Sequence, residues 1–133
     1  MKKVLQTETA PAAIGPYSQG VFSGGFLFLS GQIPLTAEGG SKTDAGVREQ
    51  TEQVIENINN LLSAARLSFE NVVKTTIFLT DINDFAEVNE VYAKSFPENP
   101  PARSTVAVAA LPRGARVEIE CIAAVAAGVR NEA

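Results

Sequence analysis

Histidine is absent from this 133-residue chain. Imidazole is the commonest general base near neutral pH and the usual ligand completing zinc and non-haem iron sites. Serine–histidine and cysteine–histidine catalysis are therefore excluded, and no transition-metal site is expected. Cysteine is nearly absent as well. Cys121 stands alone, so it cannot form an intramolecular disulfide, and it lies within an apolar run rather than beside basic residues, which marks packing rather than reactivity. Runs of lysine or arginine are missing, and the formal net charge is -4. A phosphate-tracking surface is not advertised, and nucleic acid is not the expected partner. No apolar stretch reaches the roughly 18 residues of a membrane span, and no cationic start with an apolar run precedes a small-residue cleavage site. No membrane association is expected, and the cytoplasm is the expected compartment. Any chemistry must rest on carboxylates, arginine, tyrosine, hydroxyls, backbone groups and water.

What is present suits one domain over residues 1–133: 45% of residues are apolar and 20% charged, ordinary values for a globular chain of this size. From Met1 to Pro16 the segment is polar, then rich in alanine and proline, without sustained periodicity. Gly15-Pro16 interrupts regular structure before Tyr17. Gly20–Ser23 and Phe26–Ser30 flank Gly24-Gly25, which predicts a hairpin. Ser30-Gly31 closes that strand, where glycine either turns the chain or leaves room for a ligand against the backbone. A polar loop follows over Thr36–Thr43.

Val47, Thr51, Val54, Ile55, Ile58, Leu61, Leu62 and Ala65 recur at three- and four-residue spacing, with Arg48, Glu49, Glu52, Gln53, Glu56 and Asn60 between them. The pattern predicts an amphipathic helix over about Ala45–Ala65 whose apolar stripe is core. Val72–Thr80 alternates as a strand, with Val73, Thr75, Ile77 and Leu79 on one face. Asp84 and Glu87 have the spacing of a capping box for a second helix that turns Phe85, Val88, Tyr92 and Phe96 inward and ends by Pro97. Asn89 falls at the edge of that stripe. A small polar tail is expected over Gly128–Ala133.

The stretch from Pro100 to Ala123 carries the most chemistry. Ser104–Leu111 and Val117–Val125 are strand-like, and Pro112-Arg113-Gly114 between them has turn composition, so the segment reads as a second hairpin. Along Val117–Val125 the odd residues share one face, and Glu118 and Glu120 share the other with Ile122 and Ala124. Arg103 follows Pro100-Pro101-Ala102, which can hold a guanidinium fork at a strand start. A solvated edge arginine with two exposed glutamates is an equal alternative from the residues alone.

The resulting order, β-β-α-β-α-β-β, gives an α+β layer architecture: a mainly antiparallel sheet with two helices on one face. Phe78, Ala107, Ala109, Ile122 and Ala124 make the other face apolar too, so self-association is expected to cover it.

The segment PPARSTVAVAALPRGARVEIECIA, with APAAIGPYSQG (Ala10–Gly20), LSGQIP (Leu29–Pro34) and VVKTTIFLTDINDFAEVN (Val72–Asn89), resembles the signature of the reactive intermediate deaminase family, the RidA or YjgF-type imine deaminases. Those motifs span nearly the whole chain in the family's order. The resemblance implies a chorismate-mutase-like fold assembled as a homotrimer, with a cleft between subunits. It matches Arg103 to the arginine that holds a substrate carboxylate and Glu118 to the acid that positions or activates water. Tyr17, Ser30, Gly31 and Asn89 match positions lining the same cleft. Thr105 stands where many members have cysteine, and the loop before Pro101 is shorter than in some. The implied reaction is hydrolysis of 2-iminopropanoate, 2-iminobutanoate and similar imino acids, released by pyridoxal-phosphate enzymes, to 2-oxo acids and ammonia. No cofactor is implied. A ligand-binding or chaperone-like module without turnover, and an RNA-cleaving activity, remain as alternatives.

A tight turn pairing Leu111 with Arg116 puts Arg103 opposite Ala124, on Glu118's face but about six residues, or roughly 20 Å, along the strand. The site is then expected to draw on two chains.

Overall fold

A computed structural model describes residues 1–125; the tail expected at Gly128–Ala133 lies outside them. The chain forms strands β1 (Lys3–Leu5), β2 (Gly20–Ser23) and β3 (Phe26–Gln32), helix α1 (Val47–Ala64), strand β4 (Val72–Leu79), helix α2 (Phe85–Ala93), and strands β5 (Ala102–Ala107) and β6 (Val117–Ala124). These make one six-stranded sheet in the order β1-β2-β3-β6-β4-β5. Every pairing is antiparallel except β4 with β5. The architecture is α+β, as expected.

The first hairpin forms as its glycines require. Gly24 and Gly25 have φ of 62° and 83°, the positive values of a two-residue turn that matches strand twist. The expected helix is α1. Val47, Thr51, Val54, Ile58, Leu61 and Leu62 are buried, and the apolar five pack with Ile77, Ile119 and Ala123 of the sheet and with Val88 and Tyr92 of α2.

Four expectations need correction. The N-terminal segment is not wholly irregular, because β1 pairs with β2. Val73 is 42% exposed while Val72 is buried, since the β4–β6 register shifts between Val72 and Lys74. Asp84 makes no capping bond. Instead Asp81 accepts from the Asn83 N–H, while Asp84 takes two bonds from Arg116, at 2.8 and 3.2 Å. A two-pronged charge-assisted pair outweighs one neutral backbone donor.

The fourth correction concerns the second hairpin, which does not exist. Pro112–Gly114 is a short 3-10 turn with Arg113 at φ 63°, but the strands beside it are not neighbours. β6 inserts between β3 and β4, and β5 returns through α2 to lie parallel to β4 at the sheet edge. A helix between two strands supplies the crossover that parallel pairing needs. Arg103 is therefore opposite Thr75, not Ala124. Ala107, opposite Leu79, belongs to the helix side, and Ala109 lies beyond β5.

The sheet face away from the helices nevertheless carries an apolar patch beside Lys74, Thr76, Glu118 and Glu120. Phe26, Phe28 and Val106 are 41%, 43% and 43% exposed, beside the half-buried Phe78, Ile122 and Ala124.

Candidate functional site

The expected site residues fall into two groups on opposite faces of the sheet. Tyr17, Ser30, Gly31 and Glu118 line one cleft of about 460 Å³, together with Glu120 and Pro112. Its floor is a bulge. Leu29 pairs with Cys121 and Gln32 with Ile119, so Ser30 and Gly31 face Glu120 alone, two residues against one. The bulge is anchored from the N-terminal side. The Ser30 N–H donates to the Gln19 carbonyl at 3.0 Å, and Ser30 Oγ donates to the Ser18 carbonyl at 2.5 Å.

Gln19, which no sequence signal singled out, is buried and knits the approach to Tyr17. It accepts from the Thr7 N–H and donates to the carbonyls of Thr7, Ala10 and Pro11. Tyr17 is 53% exposed, and its hydroxyl accepts from the Ile14 N–H at 3.3 Å.

Glu118 is half-buried on β6. Burial raises its pKa above the usual 4.5, and the neighbouring Glu120 charge raises it further. A carboxyl held up in this way can take and return a proton nearer neutrality than a solvated one.

The second group is on β5 and α2. Arg103 donates from Nη1 to Asn89 Oδ1 at 2.7 Å, and its guanidinium carbon lies 4.9 Å from the Tyr92 ring centre and 5.5 Å from that of Phe85. Contact with two ring faces steadies the guanidinium and leaves its remaining N–H groups for a carboxylate. Tyr92 is itself held by a 2.7 Å hydrogen bond to Thr75. Thr105, two residues on and opposite Ile77, has its hydroxyl buried without a partner among the described residues.

Thr75 and Cys121 are register partners that face the helices, whereas Phe78 and Glu118 are partners on the open face. Arg103 follows Thr75, so it does not share a face with Glu118. Two inter-strand spacings and three residues separate them, roughly 14 Å between backbones, with the sheet in between. Cys121 is 3% exposed, and burial pushes its thiol up to about 12, which fits packing. Another depression, lined by Ser68–Glu70 and Ser95–Asn99, contains none of the expected residues. Among the described residues no group of histidine, cysteine and carboxylate side chains could hold a metal, and no helix is long and apolar enough to cross a membrane.

Comparison with known proteins shows the family to which the chain belongs. The family model described as Endoribonuclease L-PSP matches residues 7–125. The chain is 52% identical over 122 residues to Reactive Intermediate Deaminase A, chloroplastic, of Arabidopsis thaliana, covering 92% of this chain and 65% of that protein. It is 50% identical over 123 residues to the 2-iminobutanoate/2-iminopropanoate deaminase of Mus musculus, covering 92% and 91%. Its fold superposes on the crystal structure of E. coli TdcF with bound serine at a TM-score of 0.86, with 43% identity over 93% of this chain and 99% of that one. The chain belongs to the Endoribonuclease L-PSP family, which holds the reactive intermediate deaminases of the RidA/YjgF type.

Proposed function

We propose that this protein hydrolyses short-chain 2-imino acids, 2-iminobutanoate and 2-iminopropanoate among them, to 2-oxo acids and ammonia. The clefts are each formed by the Arg103 group of one subunit and the Glu118 group of its neighbour in a homotrimer. The observation that carries this reading is complementarity. One edge of the subunit offers a planar cation with no counter-charge among the described residues, held by Asn89 and two rings, and the opposite face offers a half-buried carboxyl in an open cleft. A small imino carboxylate needs both at once, and the apolar patch on the open face supplies the surface over which chains can associate.

In the reaction, Arg103 grips the substrate carboxylate through two parallel hydrogen bonds and so fixes the plane of the C=N group. Glu118 accepts a proton from water as the water oxygen bonds to the carbon of the protonated imine, whose C=N electron pair moves onto nitrogen. The carbinolamine nitrogen takes that proton back, the C–N bond breaks with its electrons leaving on ammonia, and the hydroxyl proton passes through Glu118 to the ammonia as the C=O forms. Tyr17, Ser30, Gly31, Asn89 and Thr105 shape the cleft, and no cofactor enters the scheme. The imines are the products of pyridoxal-phosphate-dependent dehydratases, which places this protein downstream of such enzymes. We place it in the cytoplasm, where a single buried cysteine is in keeping with a reducing compartment, although the Arabidopsis relative is named as chloroplastic.

Serine in the TdcF structure is an amino acid with the same carboxylate, which favours the substrate class. The family model's name favours ribonuclease action as a second reading, against which stand the net charge of -4 and the absence of histidine. A dehydratase generating 2-iminobutanoate, with semicarbazide trapping the imine, separates them. Addition of this protein should suppress semicarbazone and speed 2-oxobutanoate formation. Unchanged semicarbazone would overturn the deaminase reading.

A further inference from the structure

We propose that Gly31 is a positioning residue whose missing side chain forms the recess into which the Glu118 carboxylate settles. The glycine is not there for its backbone. Gly24 and Gly25 have positive φ with nothing within 4 Å of a built Cβ, whereas Gly31 lies outside the left-handed region and its space is occupied. A Cβ at Gly31 would overlap Glu118 Oε2 and come within 2.9 Å of Cδ and 3.1 Å of Cγ. Contacts that short force something to move.

The backbone on that side is poorly placed to yield. Ser30, next in the bulge, is pinned by its N–H to Gln19 and by its hydroxyl to Ser18, and Gln32 Nε2 closes back on the Ser30 carbonyl at 3.1 Å. The bulge is thus a fixed saddle, and the side chain that would move is Glu118. A methyl group at residue 31 would turn the carboxylate toward the cleft mouth and water. Among the described residues of the same subunit, the other ionisable side chains lining the cleft are Tyr17 and Glu120, and in the proposed trimer the neighbour's Arg103 faces it, in both proteins alike. Loss of the recess would therefore lower the Glu118 pKa chiefly by restoring solvent to it.

The catalytic part of this inference rests on the deaminase reading; the packing part does not, and the experiment keeps them apart. Gly31→Ala is made in the wild-type background and in Glu118→Ala, and all four proteins are melted. The expected result is a clear fall in Tm for Gly31→Ala alone and little or none in the Glu118→Ala background, where no carboxylate needs the recess. If Gly31→Ala cannot fold but the double variant can, the recess is supported. Equal losses in both backgrounds, or failure of both to fold, overturn it.

In the kinetic arm, Gly31→Ala should lower kcat by about 100-fold through misplacement of the carboxyl, with KM little changed because Arg103 is untouched. The acid limb of the rate profile should move to lower pH. Unchanged kcat and an unchanged acid limb would also overturn the proposal. Absence of turnover in the wild-type protein refutes the deaminase reading instead, and the melting comparison then decides the recess alone.

Discussion

At the scale of single residues, Arg103 and Glu118 make opposite demands on stability. Arg103 is exposed at the sheet edge, so Arg103→Ala should abolish imine hydrolysis while circular dichroism and Tm stay near wild type. Arg103→Lys should restore little, because a point charge cannot reproduce two parallel bonds. Glu118 is different, since its folded pKa lies above the usual 4.5. The folded state binds that proton more tightly than the unfolded one, so the contribution to stability is complete below about 4.5 and is lost as pH rises through the higher folded value. Glu118→Gln should accordingly raise Tm at pH 7, show no gain at pH 4, and stop turnover. Wild-type activity should fall as pH drops through the same folded value. Cys121→Ala should cost about 1–2 kcal/mol by denaturant titration without altering kcat; lost turnover in a cooperatively melting protein would show a role beyond packing.

Among the elements, the ion pair of Asp84 with Arg116 ties the start of α2 to the start of β6, and the Arg116 N–H donates to the Gln50 side chain of α1. Asp84 is buried whereas the Arg116 side chain is 43% exposed. Arg116→Ala should cost about 2–3 kcal/mol because it strands a buried carboxylate, and Asp84→Ala less, because the guanidinium can turn to water. Thermal melts of the two variants check the order. Asp84 also shows where the sequence misleads: its spacing to Glu87 is that of a cap, yet its partner is 32 positions away. Local periodicity made α1, α2, β4 and the first hairpin legible, because each is written within a single segment. The partner of β6 was not, since the turn at Pro112–Gly114 looks the same whether its strands are neighbours or two places apart. Buried amides were equally hidden. Gln53 reads as part of α1's polar face but bonds Asn57, which holds the Ile33 and Leu35 carbonyls beyond the bulge. The candidate site residues were singled out through motifs, whereas their division between two faces depends on strand order and could not be read.

For the whole molecule, that division replaces the hairpin argument for a site built from two chains. The separation expected along one face is instead a separation through the sheet. Mixing inactive Arg103→Ala and Glu118→Ala proteins under subunit exchange should restore activity. With random assortment into a ring, about one quarter of clefts would receive both intact groups. Complete exchange, followed by mass spectrometry, without any recovered turnover would place both groups in one chain. In genetic terms, the proposed intersubunit cleft predicts two complementation groups, one for each face of the sheet. Lesions at Tyr17, Ser30, Gly31 or Glu118 fall in one, and lesions at Asn89, Arg103 or Thr105 in the other. A cell carrying one allele from each group would keep the activity that two alleles from the same group lose, and a Gly31 allele would be rescued by Arg103→Ala but never by Glu118→Ala.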